Sequence, residues 1–515
     1  MNPRHQRLSL DRYARIGDLT GSVQRVLQRM FLPLAIVLLV ISGGLLATHN
    51  PGTMAFVQIA IGTIVLLALW RANGIGLPLI PLIALQNLII YGLPIVIGHE
   101  VIYLYPESFV TQAGFEVLLF SGGLAVSWRI SMGLMQPASP LSYALRGLKQ
   151  DGTVRLTRLG FTLITLSSLY LLCQSLGLLD AILNLLPAGS TSLVAPLVSA
   201  TATCGFFLVS MFIGTGHISP LGRIIFWSLL MVSCLISASG FLLSATTTLV
   251  ASVLIGLFWG SGRLPWKYLT VVLLVLGFLN LGKFTMRERY WGESGELEIA
   301  ITLGQMPRYY AEWAEASYAA LLPADQESLS SRFRDPAPKG QSLLERVNNL
   351  QNLLFVIDAV EVGHIAPLHG ATYSLIPPLF VPRIFWPDKP RTHEGQILLN
   401  VHFGRQEMDA TAQTYIAWGL LPEAYGNFGA MYGALFLGTI MGIFSAALEN
   451  FTKNKLLISL EGFISFMILL GMMGSFEMVA SVLLTAIFQS AVVLVLATLP
   501  FVERTVLKRP GTLAA

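Results

Sequence analysis

Five prolines, at 377, 378, 382, 387 and 390, are interleaved with Arg383, Lys389 and Arg391 and with Phe380, Phe385 and Trp386 in the stretch IPPLFVPRIFWPDKPR. Each proline lacks a backbone N–H and restricts the residue before it, so the stretch has to turn repeatedly instead of forming one helix. Cations on a rigid loop braced by aromatic rings are suited to gripping an anion such as a lipid head group. Further along, Glu423, Tyr425 and Asn427 alternate within EAYGNFG, while Gly426, Gly429 and Gly433 let backbone approach something closely. A carboxylate or imidazole at hydrogen-bond distance can take the proton of an attacking hydroxyl. Glu423 is the first candidate for that role, His369 in HGATY the second and His393 the third.

Each of these residues has a plainer competing role. Glu423 sits where a carboxylate would cap the next helix. Arg346 has Glu345 and Asp358 within reach as neutralising partners, and Arg383 and Lys389 fit interfacial cations snorkelling toward lipid phosphates. Histidines in loops, including His402, are most often simply solvated. Phe385 and Trp386 fit packing or interface anchors better than sugar-stacking platforms.

The elements that must position these residues are membrane spans. Hydrophobic residues make up 54% of the 515-residue chain, charged residues only 12%, and the mean hydropathy is +0.67. Soluble domains carry roughly a quarter charged residues, so the composition predicts an all-α polytopic membrane protein. Apolar runs of about 20 residues, enough to cross a bilayer, fall at 31–48, 53–71, 76–98, 111–128, 159–178, 192–213, 224–243, 246–260, 268–284, 430–448, 456–476 and 480–500. They predict about 12 transmembrane helices. The net charge of +4 does not indicate a nucleic-acid partner, because the excess lies at the termini and in short loops, where it sets topology. With the N-terminus cytoplasmic, Arg71, the cations of 129–158, Arg223, Arg263, Lys267, Lys453 and Lys455 all fall inside. The chain therefore reads as a basic cytoplasmic N-terminus (1–30), nine transmembrane helices (31–284), a large extracytoplasmic loop (285–429), three more helices (430–500) and a cytoplasmic tail (501–515). Cys173, Cys204 and Cys234 lie in apolar segments and indicate neither a disulfide framework nor a metal site.

The loop holds 17 of the 28 acidic residues and four of the eight histidines, which concentrates the candidate chemistry there. Within it, 285–322 predicts an amphipathic helix at the membrane surface, 323–342 an exposed proline-rich loop and 343–362 a partly buried helix. The remainder to about 413 reads as a polar segment, with Glu407 and Asp409 unanchored. Glu116, Lys283, Glu461 and Glu477 fall near span ends, leaving no carboxylate at a span midpoint to suggest ion coupling. Gly438 and Gly442 have the spacing of close helix packing.

The order Glu345-Arg346, HGATY, PRIFWPDKP at 382–390 and EAYGNFG at 423–429 resembles the Wzy-type O-antigen and oligosaccharide repeat-unit polymerases. The resemblance covers about 85 residues together with the topology. It implies a GT-C-like architecture in the bacterial inner membrane. It also implies transfer of a growing glycan from undecaprenyl pyrophosphate to a lipid-linked repeat unit, with a chain-length-regulating co-polymerase as a possible partner. A departing pyrophosphate develops charge that fixed cations or a metal must stabilise. No acidic pair here has metal-site spacing, so the expectation is a reaction without metal or other cofactor. Arg346, Arg383, Lys389 and Arg391 would bind pyrophosphate, with Tyr425 and Asn427 holding glycan beside Glu423 and His369. A ligase passing finished glycan to another acceptor, and a transporter of lipid-linked sugar, are the competing readings.

Overall fold

The computed structural model describes residues 15–136, 141–145, 152–179, 191–241, 243–291, 303–321, 348–381, 386, 388–412, 416–457, 459–498 and 502–506. About four-fifths of these are helical. Helix α1 (Ile16–Ala47) begins after Arg15, whose backbone N–H is accepted by Asp18, and α2 (Thr53–Asn73) carries an apolar run as far as Arg71. Helix α3 (Leu79–Asn87) widens into a π turn at Leu88–Gly92 before α4 (Leu93–Val96). Pro94 follows within two residues and has no N–H to give the preceding turn, which accounts for the local change of pitch. A single turn, α5 (Val101–Leu104), precedes the long α6 (Glu107–Leu134) and strand β1 (Leu141–Leu145).

Next come α7 (Gly152–Ser175), α8 (Thr191–Gly214), α9 (Pro220–Ala238), α10 (Leu243–Ser261), α11 (Trp266–Tyr290) and α12 (Met306–Ala319). The rest comprises α13 (Leu350–Glu361), the single turns α14 (Ala371–Ser374) and α15 (Ile376–Leu379), α16 (Glu394–His402), α17 (Leu420–Phe428), α18 (Tyr432–Thr452), α19 (Leu460–Met473), α20 (Ala480–Thr498) and strand β2 (Val502–Val506). Among the described residues ten helices are long and apolar enough to cross a membrane. The predicted spans at 456–476 and 480–500 correspond to shorter apolar helices, of which α19 has only 14 residues.

The described residues form two compact units, one within 152–321 and one from 15–145 with 348–506. In the first, α8 and α10 approach so closely that a Cβ on Gly256 would lie 2.0 Å from Ser210 Oγ and one on Gly260 2.0 Å from Met211 O. Helix α12 packs on α11 through Trp313, whose indole N–H donates to Leu279 O at 2.6 Å, and Ser317, whose hydroxyl accepts from Gly282 N at 3.2 Å. The amphipathic face predicted for 285–322 is thus buried against its neighbouring helix, with Trp313 edge-on to Phe241.

In the second unit α6 and α18 are the central pair. Gly438 and Gly442 face α6, where added Cβ atoms would meet Phe120 O at 2.4 Å and Ser127 Oγ at 2.0 Å. The fully buried Glu449 fastens the same pair to α2. Its Oε1 accepts from the indoles of Trp70 (2.9 Å) and Trp128 (3.0 Å), and its Oε2 from Ile75 N at 3.0 Å. Strands β1 and β2 pair antiparallel, Leu141 opposite Val506, and Glu461 accepts from Tyr143 N on β1 at 3.1 Å while lying 3.7 Å from Lys455.

Candidate functional site

The motifs HGATY and EAYGNFG are separate in sequence and bonded in space. Leu368 N donates to Gly426 O at 3.0 Å and His369 N to Asn427 O at 2.7 Å. His369 takes a left-handed backbone (φ 50°) followed by Gly370 at φ 88°, which brings the chain round so that Thr372 enters the core. There the Thr372 hydroxyl donates to Glu423 Oε1 at 2.8 Å and accepts from Asn427 Nδ2 at 2.8 Å. Glu423 Oε2 accepts from the backbone N–H of Ala480 at 2.6 Å, at the start of α20. Glu423 and Asn427 occupy positions i and i+4 of α17 and so share a face, which the alternating pattern EAYGN did not suggest.

The proline stretch joins this knot through α20. Phe380 packs edge-on to Phe488, and Ser481 donates to Thr392 O at 3.2 Å. Lys389 Nζ donates to Leu379 O at 2.7 Å and Val381 O at 2.6 Å, closing the turn of the prolines on itself. Tyr373 stacks on Phe428 and lies edge-on to Phe436, so HGATY and EAYGNFG also share an aromatic seam that continues into α18.

Glu423 has no exposed surface, and both carboxylate oxygens have protein partners. Burial pushes its carboxyl up to about 7, against the opposing effect of the Ala480 N–H and the Thr372 hydroxyl. Asn427 is equally buried. Tyr425 points away from this core: its hydroxyl accepts from Gln112 Nε2 at 2.9 Å and donates to Glu361 Oε1 at 3.2 Å. Burial, and secondarily the charges of Glu361 and Glu116, push that phenol further above its usual range. His369 and Arg391 are exposed, as is Trp386. The His393 ring bonds to Gln396 Oε1 at 2.7 Å, and the His402 ring to Ala366 O at 2.7 Å. Arg346, Arg383, Phe385 and the proposed partner Glu345 lie outside the described residues, as does the loop 323–342. Among the described residues no group of three His, Cys, Asp or Glu side chains is set to hold a metal ion.

Two charged residues emerge that the sequence reading did not single out for these settings. Helix α6 begins before the predicted span, so Glu116 is preceded by the helical residues 107–115. It is 1% exposed; Oε1 accepts from Met431 N at 2.8 Å and Oε2 has no partner among the described residues. Arg405 belongs to the segment read as unanchored, yet α16 runs through that segment and Arg405 Nη2 donates to Asn352 Oδ1 on α13 at 2.8 Å. An arginine flanked by polar residues carries no local signal of this, because its partners are supplied by distant parts of the chain.

The chain was compared with family models, characterised proteins and solved structures, and none of them matches.

Proposed function

We propose that this chain is an integral membrane glycosyltransferase that polymerises undecaprenyl-pyrophosphate-linked oligosaccharide repeat units at the periplasmic face of the bacterial inner membrane. The observation that carries the reading is the packing of HGATY, the proline stretch and EAYGNFG on one another around Thr372, Glu423 and the start of α20. The described residues of HGATY and EAYGNFG thereby form one structural unit with the start of α20, beside apolar helices. In this reading twelve helices cross the membrane, both termini are cytoplasmic and 285–429 is periplasmic.

The acceptor hydroxyl attacks the anomeric carbon of the donor glycan. The bond from that carbon to the pyrophosphate oxygen breaks, and its electron pair leaves with undecaprenyl pyrophosphate. Arg346, Arg383, Lys389 and Arg391 supply positive charge to the leaving group. The hydroxyl proton passes to a base, and the exposed His369 beside the knot is better placed to meet an acceptor than the enclosed Glu423. Glu423 then acts by fixing the backbone that carries His369.

Arg383→Ala and Glu423→Ala should each abolish long surface polysaccharide while the protein still accumulates in the membrane. Polymer of normal length and amount from both variants would overturn the reading. Glu116 favours a second reading, a transporter, since a carboxylate with an unpartnered oxygen inside a span is a common feature of ion-coupled pathways. Movement of labelled lipid-linked sugar by purified protein in vesicles, lost in Glu116→Gln and retained in Arg383→Ala, would select it.

A further inference from the structure

Arg405 is a half-buried cation held at both ends. Its backbone N–H donates to Asn400 O at 2.8 Å; its Nη2 donates to Asn352 Oδ1 at 2.8 Å and its Nη1 to Ala417 O at 3.3 Å. The guanidinium lies 5.2 Å from the ring centroid of Phe355 and 5.7 Å from that of Trp418. Those partners are themselves fixed: Asn352 Nδ2 donates to Trp418 O at 2.9 Å and to Asn349 Oδ1 at 2.7 Å, and Trp418 Nε1 donates to Asn400 Oδ1 at 2.6 Å. The cation is therefore presented in one orientation and has little side-chain entropy left to lose on binding.

Among the described residues no carboxylate bonds to this guanidinium; the ion pairs there are Arg308 with Glu312 and Lys455 with Glu461. Burial pushes the guanidinium down to about 10, opposed by Tyr105. Tyr105 in turn is pushed above its usual range by burial and by Asp358, so it remains a neutral hydroxyl. Removing a guanidinium from water without a counter-ion is unfavourable, and a bound anion relieves that cost while gaining charge-assisted hydrogen bonds.

We propose that Arg405 is the centre of an anion-binding site for a phosphate or diphosphate group, with Tyr105 beside it. The identity of the anion as a lipid-borne diphosphate rests on the polymerase reading; the lack of a bonded carboxylate among the described residues does not.

The test is titration of the purified full chain in nanodiscs with inorganic pyrophosphate, read both by binding and by the rise in melting temperature. Wild type should bind, and Arg405→Gln, which keeps a donor for Asn352, should bind about tenfold more weakly or not at all. Arg405→Lys keeps the charge without the planar fork and should fall between the two. It keeps the comparison decisive if the glutamine variant does not fold. Equal affinity in wild type and both variants, or no binding by wild type at millimolar pyrophosphate, would overturn the site. A prenyl diphosphate that binds more tightly than pyrophosphate through the same arginine identifies a lipid-borne diphosphate. Competition from phosphatidylglycerol in the nanodisc identifies a membrane head group as the source of the phosphate. Transfer activity of the wild type is measured separately: arginine-dependent binding without polymerisation sinks the polymerase reading alone, and polymerisation without arginine-dependent binding sinks the site alone.

Discussion

Glu423 shows how a single buried carboxylate can couple HGATY and EAYGNFG to the start of α20 and also make them sensitive to pH. Its Oε2 already accepts from Ala480 N, so a bound proton resides on Oε1, and the Thr372 hydroxyl, which donates to the ionised Oε1, then turns to accept from it. The folded-state value of about 7 lies above the ordinary 4.5, so the folded protein binds this proton more tightly than the unfolded chain does. The resulting stability is fully present below about pH 4.5 and is lost as pH rises through about 7, a change of about 3 kcal/mol. Glu423→Gln reproduces the protonated form, with an amide N–H for Thr372 and an oxygen for Ala480. Its melting temperature relative to wild type should therefore climb as pH is raised from 5 to 8. A difference that is constant with pH would show that Glu423 does not titrate in this range. Thr372→Val is the complementary change, since it leaves the Asn427 amide and Glu423 Oε1 without their shared partner. Each unsatisfied buried group costs about 1–3 kcal/mol, so this variant should be strongly destabilised throughout the same pH range.

At the scale of elements, the packing of α6 against α18 depends on the absence of side chains. Leucine at Gly438 would put its Cβ 2.4 Å from Phe120 O, a backbone atom that cannot step aside, and the helices would have to separate. Overpacking of this kind costs about 1–3 kcal/mol, so Gly438→Leu should lower the melting temperature, whereas leucine at Gly122, which meets nothing within 4 Å, should leave it nearly unchanged. The small-residue spacing that betrays this contact is a local pattern, as are the apolar runs behind most of the long helices and the prolines that break the chain between 377 and 390. What was not legible depends on partners far away in sequence. Strands β1 and β2 pair across most of the chain, and neither has an alternating pattern strong enough to announce itself. Arg405 is anchored by Asn352 and Ala417, and Lys389 by the carbonyls of a turn whose geometry the prolines make necessary but do not specify. EAYGN illustrates a misleading period: its polar residues alternate, but a nine-residue helix turns Glu423 and Asn427 to one side and Tyr425 to another.

For the whole molecule, the charge distribution makes a prediction that involves no site chemistry. The cations of the short loops are Arg71, Arg223, Arg263, Lys267, Lys453 and Lys455, whereas the turn between α4 and α6 carries Glu100 and Glu107 and no Lys or Arg. Positive charge is retained on the cytoplasmic side during insertion, so the α4–α6 turn should face outward and the α10–α11 turn inward. Ser108 and Lys267 are both exposed, so a cysteine at either position can be reached by reagent without unfolding the protein. In a background with Cys173, Cys204 and Cys234 replaced by serine, Ser108→Cys should react with a membrane-impermeant maleimide in intact cells. Lys267→Cys should react only after the membrane is opened. The reverse pattern would invert every assignment of side. The HGATY and EAYGNFG knot would then lie in the cytoplasm, where a lipid-linked glycan that has crossed to the outer leaflet is out of reach, and the polymerase reading would fail whatever the effect of Arg383→Ala.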